Sequence, residues 1–437
     1  MKPGKIVPVI ALALMLAACG EPAADATTVP AEEGSGVTVH WDMLTPKPEN
    51  IANRRYEGYT DQLIPADDYG LLVPYIGGEA SAEYWNQSWF YGLATRDGEI
   101  VTDPVYTEVE ALGWYDYSSL TMSYEDVLIL RSAVPSDKEP SSPDEWVPKF
   151  EDRYGLAAMD GSWYTGQIYT NLVCESPLGA LLFDTDGDVV MIDTGGSELF
   201  RWEADAIPLE GLVATGIYDW GGVNTAGHYM EYVVSWDGGG EPDTRYVDLR
   251  DGTVYVDRPA DYEDNMVGYD ETTDMYRFSG GWYRAANGEA LLEFDSGETK
   301  RFDLPDGFSG LGGLAVDGDR IIASADEGGG CVMLDLDGNE LLRTDAYLNW
   351  LSPMYGDTPS LCATTDYLAY DDKGNVHAIW HVYDRDGNDF FTADGNVIQW
   401  DDQLVIADET SYRLTDLSGN NLIRISRWEN MDIPAEE

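Results

Sequence analysis

From about residue 64 onward the chain repeats one texture. Short runs rich in Val, Leu, Ile, Tyr and Trp are each closed by a Gly/Asp/Asn turn, as at Asp97-Gly98, Asp160-Gly161, Asp186-Gly187, Asp251-Gly252, Asp337-Gly338, Asp386-Gly387 and Ser418-Gly419. Asp-Gly between alternating apolar runs marks a hairpin: glycine takes positive φ without a Cβ clash, and the aspartate side chain satisfies the turn's own backbone. No stretch sustains a 3.6-residue apolar stripe, so helices are expected to be few. Short strands at regular spacing predict an all-β chain.

The runs also recur in outline. Residues 332–342, read as VMLDLDGNELL, return as YRLTDLSGNNLI at 412–423, and 381–390 is a third version. Gly179 to Phe200 holds two further hairpin turns. Each unit reads as two strands joined at a turn, as in the outer strands of a propeller blade. About 370 residues at roughly 40 to 50 per blade predict a β-propeller of about 7–8 blades. Such a fold leaves only short, protected sheet edges. The alternatives are an open stack of β-hairpins and, after it, two packed β-domains.

Two segments align without gaps. Tyr91-Gly92-Leu93-Ala94, Asp97-Gly98 and Tyr106 match Tyr154-Gly155-Leu156-Ala157, Asp160-Gly161 and Tyr169, and Tyr69-Gly70-Leu71-Leu72 echoes the start. With Ile100-Val101-Thr102-Asp103-Pro104-Val105-Tyr106, the pattern resembles the WG repeat of bacterial proteins over residues 64–175. The second copy departs from it, with Gln167 in place of the proline.

The N-terminus has a different logic. Lys2 and Lys5 precede an apolar run from Ile6 to Leu16, and Leu16-Ala17-Ala18-Cys19 follows. These are the basic, apolar and small-residue parts of a secretory signal. The run is far short of the ~20 apolar residues that span a bilayer. The Leu-Ala-Ala-Cys ending resembles the lipobox of bacterial lipoproteins, which implies that Cys19 is acylated and becomes the first residue of the mature chain. Residues 20–40, rich in Ala, Pro, Thr, Glu and Gly, have little to bury and read as a tether. The expected organisation is therefore a signal peptide over 1–18, a lipid-anchored tether over 19–40 and a β-repeat domain over 41–437. The protein would be extracytoplasmic, held to a bacterial membrane by its lipid.

Charge narrows the partners. The chain carries 81 acidic and 25 basic residues, a formal charge of −56. That argues against nucleic acid, whose phosphates need Lys/Arg patches, and against docking on anionic headgroups. Apart from Cys19, the cysteines are Cys174, Cys331 and Cys362. Three cannot all pair within one chain, so either one disulfide forms, as between Cys331 and Cys362, or all are buried thiols.

Little in the sequence carries chemistry. His377 and His381 lie four apart on a strand pattern, about 13 Å, too far to share a metal. His40 and His228 have no companions in sequence, and no nucleophile elbow is visible. Asp184-Thr185-Asp186-Gly187-Asp188 and the related turns at 335–339 and 384–389 look like calcium loops. Their glycine sits at position four rather than six, however, and no glutamate stands at position twelve. They read as hairpin turns. No cofactor is expected, and weak Ca2+ binding at Asp184, Asp186 and Asp188 is the alternative.

Aromatics are more suggestive. Trp and Tyr number 14 and 28 against 10 Phe, with clusters at Trp85 and Trp89, at Trp114, Tyr115 and Tyr117, and at Trp282-Tyr283. Such rings pack sheets together, but they also build peptide- or sugar-binding faces. Trp114, Tyr115 and Tyr117, then Trp85 and Trp89, are the candidate ligand contacts. The functional expectation is a monomeric, non-catalytic scaffold for a protein, peptide or glycan. The alternative is a carbohydrate-active hydrolase or lyase of the envelope, with carboxylates in a central funnel.

Overall fold

The computed structural model describes residues 64, 67–79, 89–116, 121–135, 150–208, 224–226, 228–234, 243–262, 269–310, 312–367, 378–408 and 411–426, with the backbone of 37–39. All regular elements among them are strands, as the apolar spacing predicts. The strands form seven sheets in chain order. Sheet I pairs Leu72–Glu79 with Trp89–Thr95. Sheet II holds seven strands, from Glu108–Asp116 to Glu198–Trp202. Sheets III (224–255), V (314–344) and VI (348–394) have four strands each, and sheet IV (269–303) has five. Sheet VII runs from Asn396–Trp400 to Asn421–Ser426, and Val37–Val39 adds to its last strand in parallel, Val37 opposite Ile423. Every other pairing is antiparallel between successive strands, so each sheet is a local meander.

Sheet II is nearly two sheets. Its strands Phe150–Ala158 and Tyr169–Ser176 are paired only at Tyr154 and Tyr169. Those are the first and last tyrosines of the second copy of the aligned repeat, and the same local structure appears in both copies. Tyr91 bridges Tyr106. The Leu93 amide donates to Thr102 Oγ1 and the Leu156 amide to Thr165 Oγ1, both at 2.9 Å. The shared glycine is required by close approach. A Cβ at Gly92 would lie 2.5 Å from the Tyr75 ring, and one at Gly155 would lie 2.5 Å from the Gly166 carbonyl.

The Asp-rich turns cap themselves. Oδ1 of Asp184, Asp193, Asp335, Asp384 and Asp416 accepts the amides two and four residues on, at 2.7–3.0 Å. The glycine three residues on has φ of 81–85° in all five, which suits a three-residue hairpin closing on a glycine bulge. The residues 332–342, 381–390 and 412–423 are the final hairpins of sheets V, VI and VII.

The core is a series of inter-sheet clusters, with no single centre. Leu181, Met191, Met230 and Val247 join sheets II and III, and Leu292 and Leu334 join IV and V. Met333 and Cys362 join V and VI, and Ala363 and Ile406 join VI and VII. The largest cluster joins sheets I and II to sheet VII, through Leu72, Tyr106, Leu128, Trp400 and Leu414. The first and last complete sheets therefore touch. There Arg96 forms ion pairs with Asp401 and Asp402, and Gln403 donates to the Arg96 carbonyl at 2.7 Å. Successive meanders, each packed on a neighbour, with first meeting last, are the architecture of a β-propeller. Cys174, Cys331 and Cys362 are all free and buried, so of the two readings of the cysteines the buried thiols are the one found.

Candidate functional site

One cavity of about 1010 Å³ is walled by four different sheets. Sheet II supplies Met122 and Tyr124, sheet IV Arg277 and Tyr283, sheet V Asp317, Asp319 and Arg320, and sheet VI Trp350 and Arg385. Residues 352–360, between two strands of sheet VI, cross to the opposite wall. There Tyr124 donates to the Pro353 carbonyl at 3.1 Å and the Tyr355 hydroxyl bonds Asp126. Sheet VII holds this loop in place. Gln399, fully buried, accepts the Leu361 amide at 3.0 Å and donates to the Pro359 carbonyl at 3.2 Å. Tyr355 stacks on Trp400 at 5.8 Å.

The arginines on the wall are held by many partners. Arg385 rises from the self-capped turn at Asp384 and donates to Asp317 Oδ2 (3.0 Å), the Asp317 carbonyl (2.9 Å), Asp319 Oδ1 (2.6 Å) and the Ser360 carbonyl (2.9 Å). Its guanidinium lies 5.6 Å from the Trp350 ring centroid. Arg320 Nε donates to the Arg385 carbonyl at 2.5 Å. Arg277 is bidentate on Asp295, at 2.6 and 2.7 Å. Burial works against ionising Asp319, yet the Arg385 and Arg320 guanidiniums hold its carboxyl below the usual carboxylate range.

Behind Tyr124 lie two carboxyls of a different kind. Glu175 accepts the Gly113 amide at 2.8 Å. Burial pushes it up to about 7, with Glu110 adding to the rise and the Gly113 amide opposing it. Glu110 is likewise pushed up to about 7 by burial, then by Glu108, against the pull of Arg131. Neither is among the residues lining the cavity. The fold holds protons on this pair that an unfolded chain releases, so stability should fall as pH rises from about 4.5 to about 7 and stay lower above that. Glu175→Gln keeps an acceptor for Gly113 and removes one charge. It should gain about 2 kcal/mol at pH 8 and almost nothing at pH 4.5. Urea unfolding at the two pH values measures this, and an equal gain at both would contradict it.

The expected site residues fall in different places. Trp114 is half-buried in Glu108–Asp116, opposite Ser123, and Tyr115 is opposite the cavity-lining Met122. Trp89 packs edge-on against Tyr412, 5.7 Å away, between sheets I and VII. Trp85 and Tyr117 lie outside the described residues. The carboxylates of Asp184 and Asp188 are engaged by Arg201, at 2.5 and 2.9 Å, and Asp186 is exposed at the turn. Among the described residues no group of three or more His, Cys, Asp or Glu is placed to hold a metal ion. His381 lies within Ala378–Tyr383, on a strand as expected, and His228 lies 3.8 Å from Asp261. The sequence reading did not single out Tyr124, Trp350 or Arg385. The one available signal was scarcity, since arginines are few in so acidic a chain.

No protein-family model matches the sequence, and no curated protein matches it. Solved structures that superpose on the chain include a eukaryotic initiation factor, at 9% identity over 81% of this chain and 96% of the other, with a TM-score of 0.31. The WD40 domain of SCAP from fission yeast is similar at 9% identity over 72% and 77%, with a TM-score of 0.26. The β-propeller domain of Cps50 (Swd1) from Myceliophteria thermophila gives 10% identity over 70% and 96%, with a TM-score of 0.22. At TM-scores this low the superpositions are too loose to argue from, and the architecture stands on this chain's own sheets.

Proposed function

We propose that this is a lipid-anchored, extracytoplasmic β-propeller that binds a ligand in the four-sheet cavity without transforming it. The observation that carries the reading is the cavity itself. It is large, shared by sheets far apart in sequence, and lined by aromatic rings and matched charges. Counting sheet II as two blades gives a ring of eight, closed where sheet I meets sheet VII, with the repeats at 91–106 and 154–169 as WG-type units. The anchor reading rests on Lys2, Lys5 and the Leu16-Ala17-Ala18-Cys19 ending. A chain this acidic has no charge-based hold on an anionic membrane, so a covalent lipid supplies one. In a bacterial host fed radiolabelled palmitate, the full chain should take up label and pellet with membranes. Cys19→Ser should do neither, and an unlabelled parent protein would sink the anchor.

A second reading is a carbohydrate-active hydrolase, favoured by the Glu110–Glu175 pair, since carboxyls poised near neutrality serve as general acids. Turnover of a glycoside that is lost in Glu175→Gln would select it over the binding scaffold.

A further inference from the structure

We propose that the cavity takes an uncharged oligosaccharide, and that a row of tyrosines on sheet IV carries that chain outward over the surface. This rests on the reading of the cavity as a binding site.

The first observation is charge. The chain as a whole is at −56, yet the cavity wall holds three arginines and three aspartates, so it is formally neutral. Its guanidiniums are already matched: Arg385 by Asp317 and Asp319, Arg320 by Asp319, Arg277 by Asp295. An anionic ligand would have to break one of these pairs or lie unpaired beside them, and both are costly away from water. For a cation the wall offers Asp357 outside these pairs, but that residue is exposed, so water screens the attraction. A neutral ligand rich in hydroxyls can bond the remaining lone pairs and leave the pairs intact. Its flatter, less polar faces suit Tyr124, Tyr283 and Trp350, because such rings bury apolar area while keeping a polar end.

The second observation is shape. Tyr283, on the wall, is directly opposite Tyr276 on the next strand, and Tyr276 is opposite Tyr269. Ring centroids are 5.7 Å apart in the first pair and 4.9 Å in the second. Tyr276 is 50% exposed and Tyr269 is partly exposed, so the row extends from the cavity wall along an accessible face of sheet IV. A cavity of this volume lies at the upper end of what small-molecule sites reach, and the row continues it in one direction. An elongated ligand uses both.

The full chain in a mild detergent, titrated calorimetrically, tests this. The probes are uncharged cellohexaose, chitohexaose and mannohexaose, with polygalacturonate and hexalysine as charged comparators. At least one neutral hexasaccharide should bind, with a Kd that changes less than twofold between 50 and 500 mM NaCl. Trp350→Ala should weaken it about tenfold. Tyr276→Ala, at an exposed position that leaves the fold alone, should weaken the hexasaccharide severalfold but not the matching disaccharide. Neutral binding indifferent to both substitutions overturns the proposal. Salt-sensitive binding of hexalysine or polygalacturonate that Trp350→Ala abolishes overturns the assignment of an uncharged sugar while keeping the cavity as the binding site. Silence from every probe overturns both.

Discussion

Replacing Gly92 by alanine should cost the fold about 3 kcal/mol or more, the upper part of what overpacking does. The new methyl would sit 2.5 Å from two ring carbons of Tyr75. That ring has nowhere to go, since Tyr75 is fully buried and its hydroxyl donates to the Thr102 carbonyl at 2.7 Å. Gly155→Ala should be comparably severe for a different reason, because its methyl meets the backbone carbonyl of Gly166 and the Gln167 side chain. Gly78→Ala is the control. It lies on the strand that faces Gly92's, and a Cβ there has nothing within 4 Å. Denaturant midpoints for the three variants decide the matter. If Gly92→Ala and Gly78→Ala behave alike, the glycine of the repeat is not a packing requirement.

The same glycines show what the sequence exposes and what it hides. Asp-Gly turns were legible because their cause is local: an aspartate reaches amides two and four residues on, and the glycine takes positive φ. Strand pairs followed from those turns, so the final hairpins of sheets V, VI and VII lie where the pattern put them. The cavity was not legible. Tyr124, Arg277, Trp350 and Arg385 come from three sheets, and nothing short-range links them. The loop at 352–360 carries no special motif either. It is held by Gln399 and Asp401, whose partners are tens of residues away. Trp89 shows the same limit from the other side, because an aromatic in a run reads the same whether it packs a sheet interface or faces a ligand.

Arg385→Leu should be the most damaging single change on the cavity wall. Leucine keeps some of the contact with Trp350 but leaves four acceptors behind, two of them the backbone carbonyls of Asp317 and Ser360. It also leaves the Asp317 and Asp319 carboxylates without their main cation. Removing one partner from a partly buried ion network, here the well-buried arginine, costs more than the network contributed, about 3 kcal/mol. Asp319 is the more exposed of the two acids and water can take over part of its role, which holds the figure at that level. Adding Asp317→Asn to Arg385→Leu removes one stranded charge and should recover part of the loss. Arg385 also joins sheet V to sheet VI from a turn of VI, while Arg320 reaches back from V to the Arg385 carbonyl. Losing the first grip should therefore loosen the second, and ligand binding should fail even where the rest of the fold survives. Urea unfolding of the single and double variants, beside calorimetric binding, measures both effects. A cost under about 1 kcal/mol, the range of an exposed surface pair, would mean that the turn at 384–388 is held by its own aspartate and that the arginine only decorates the wall.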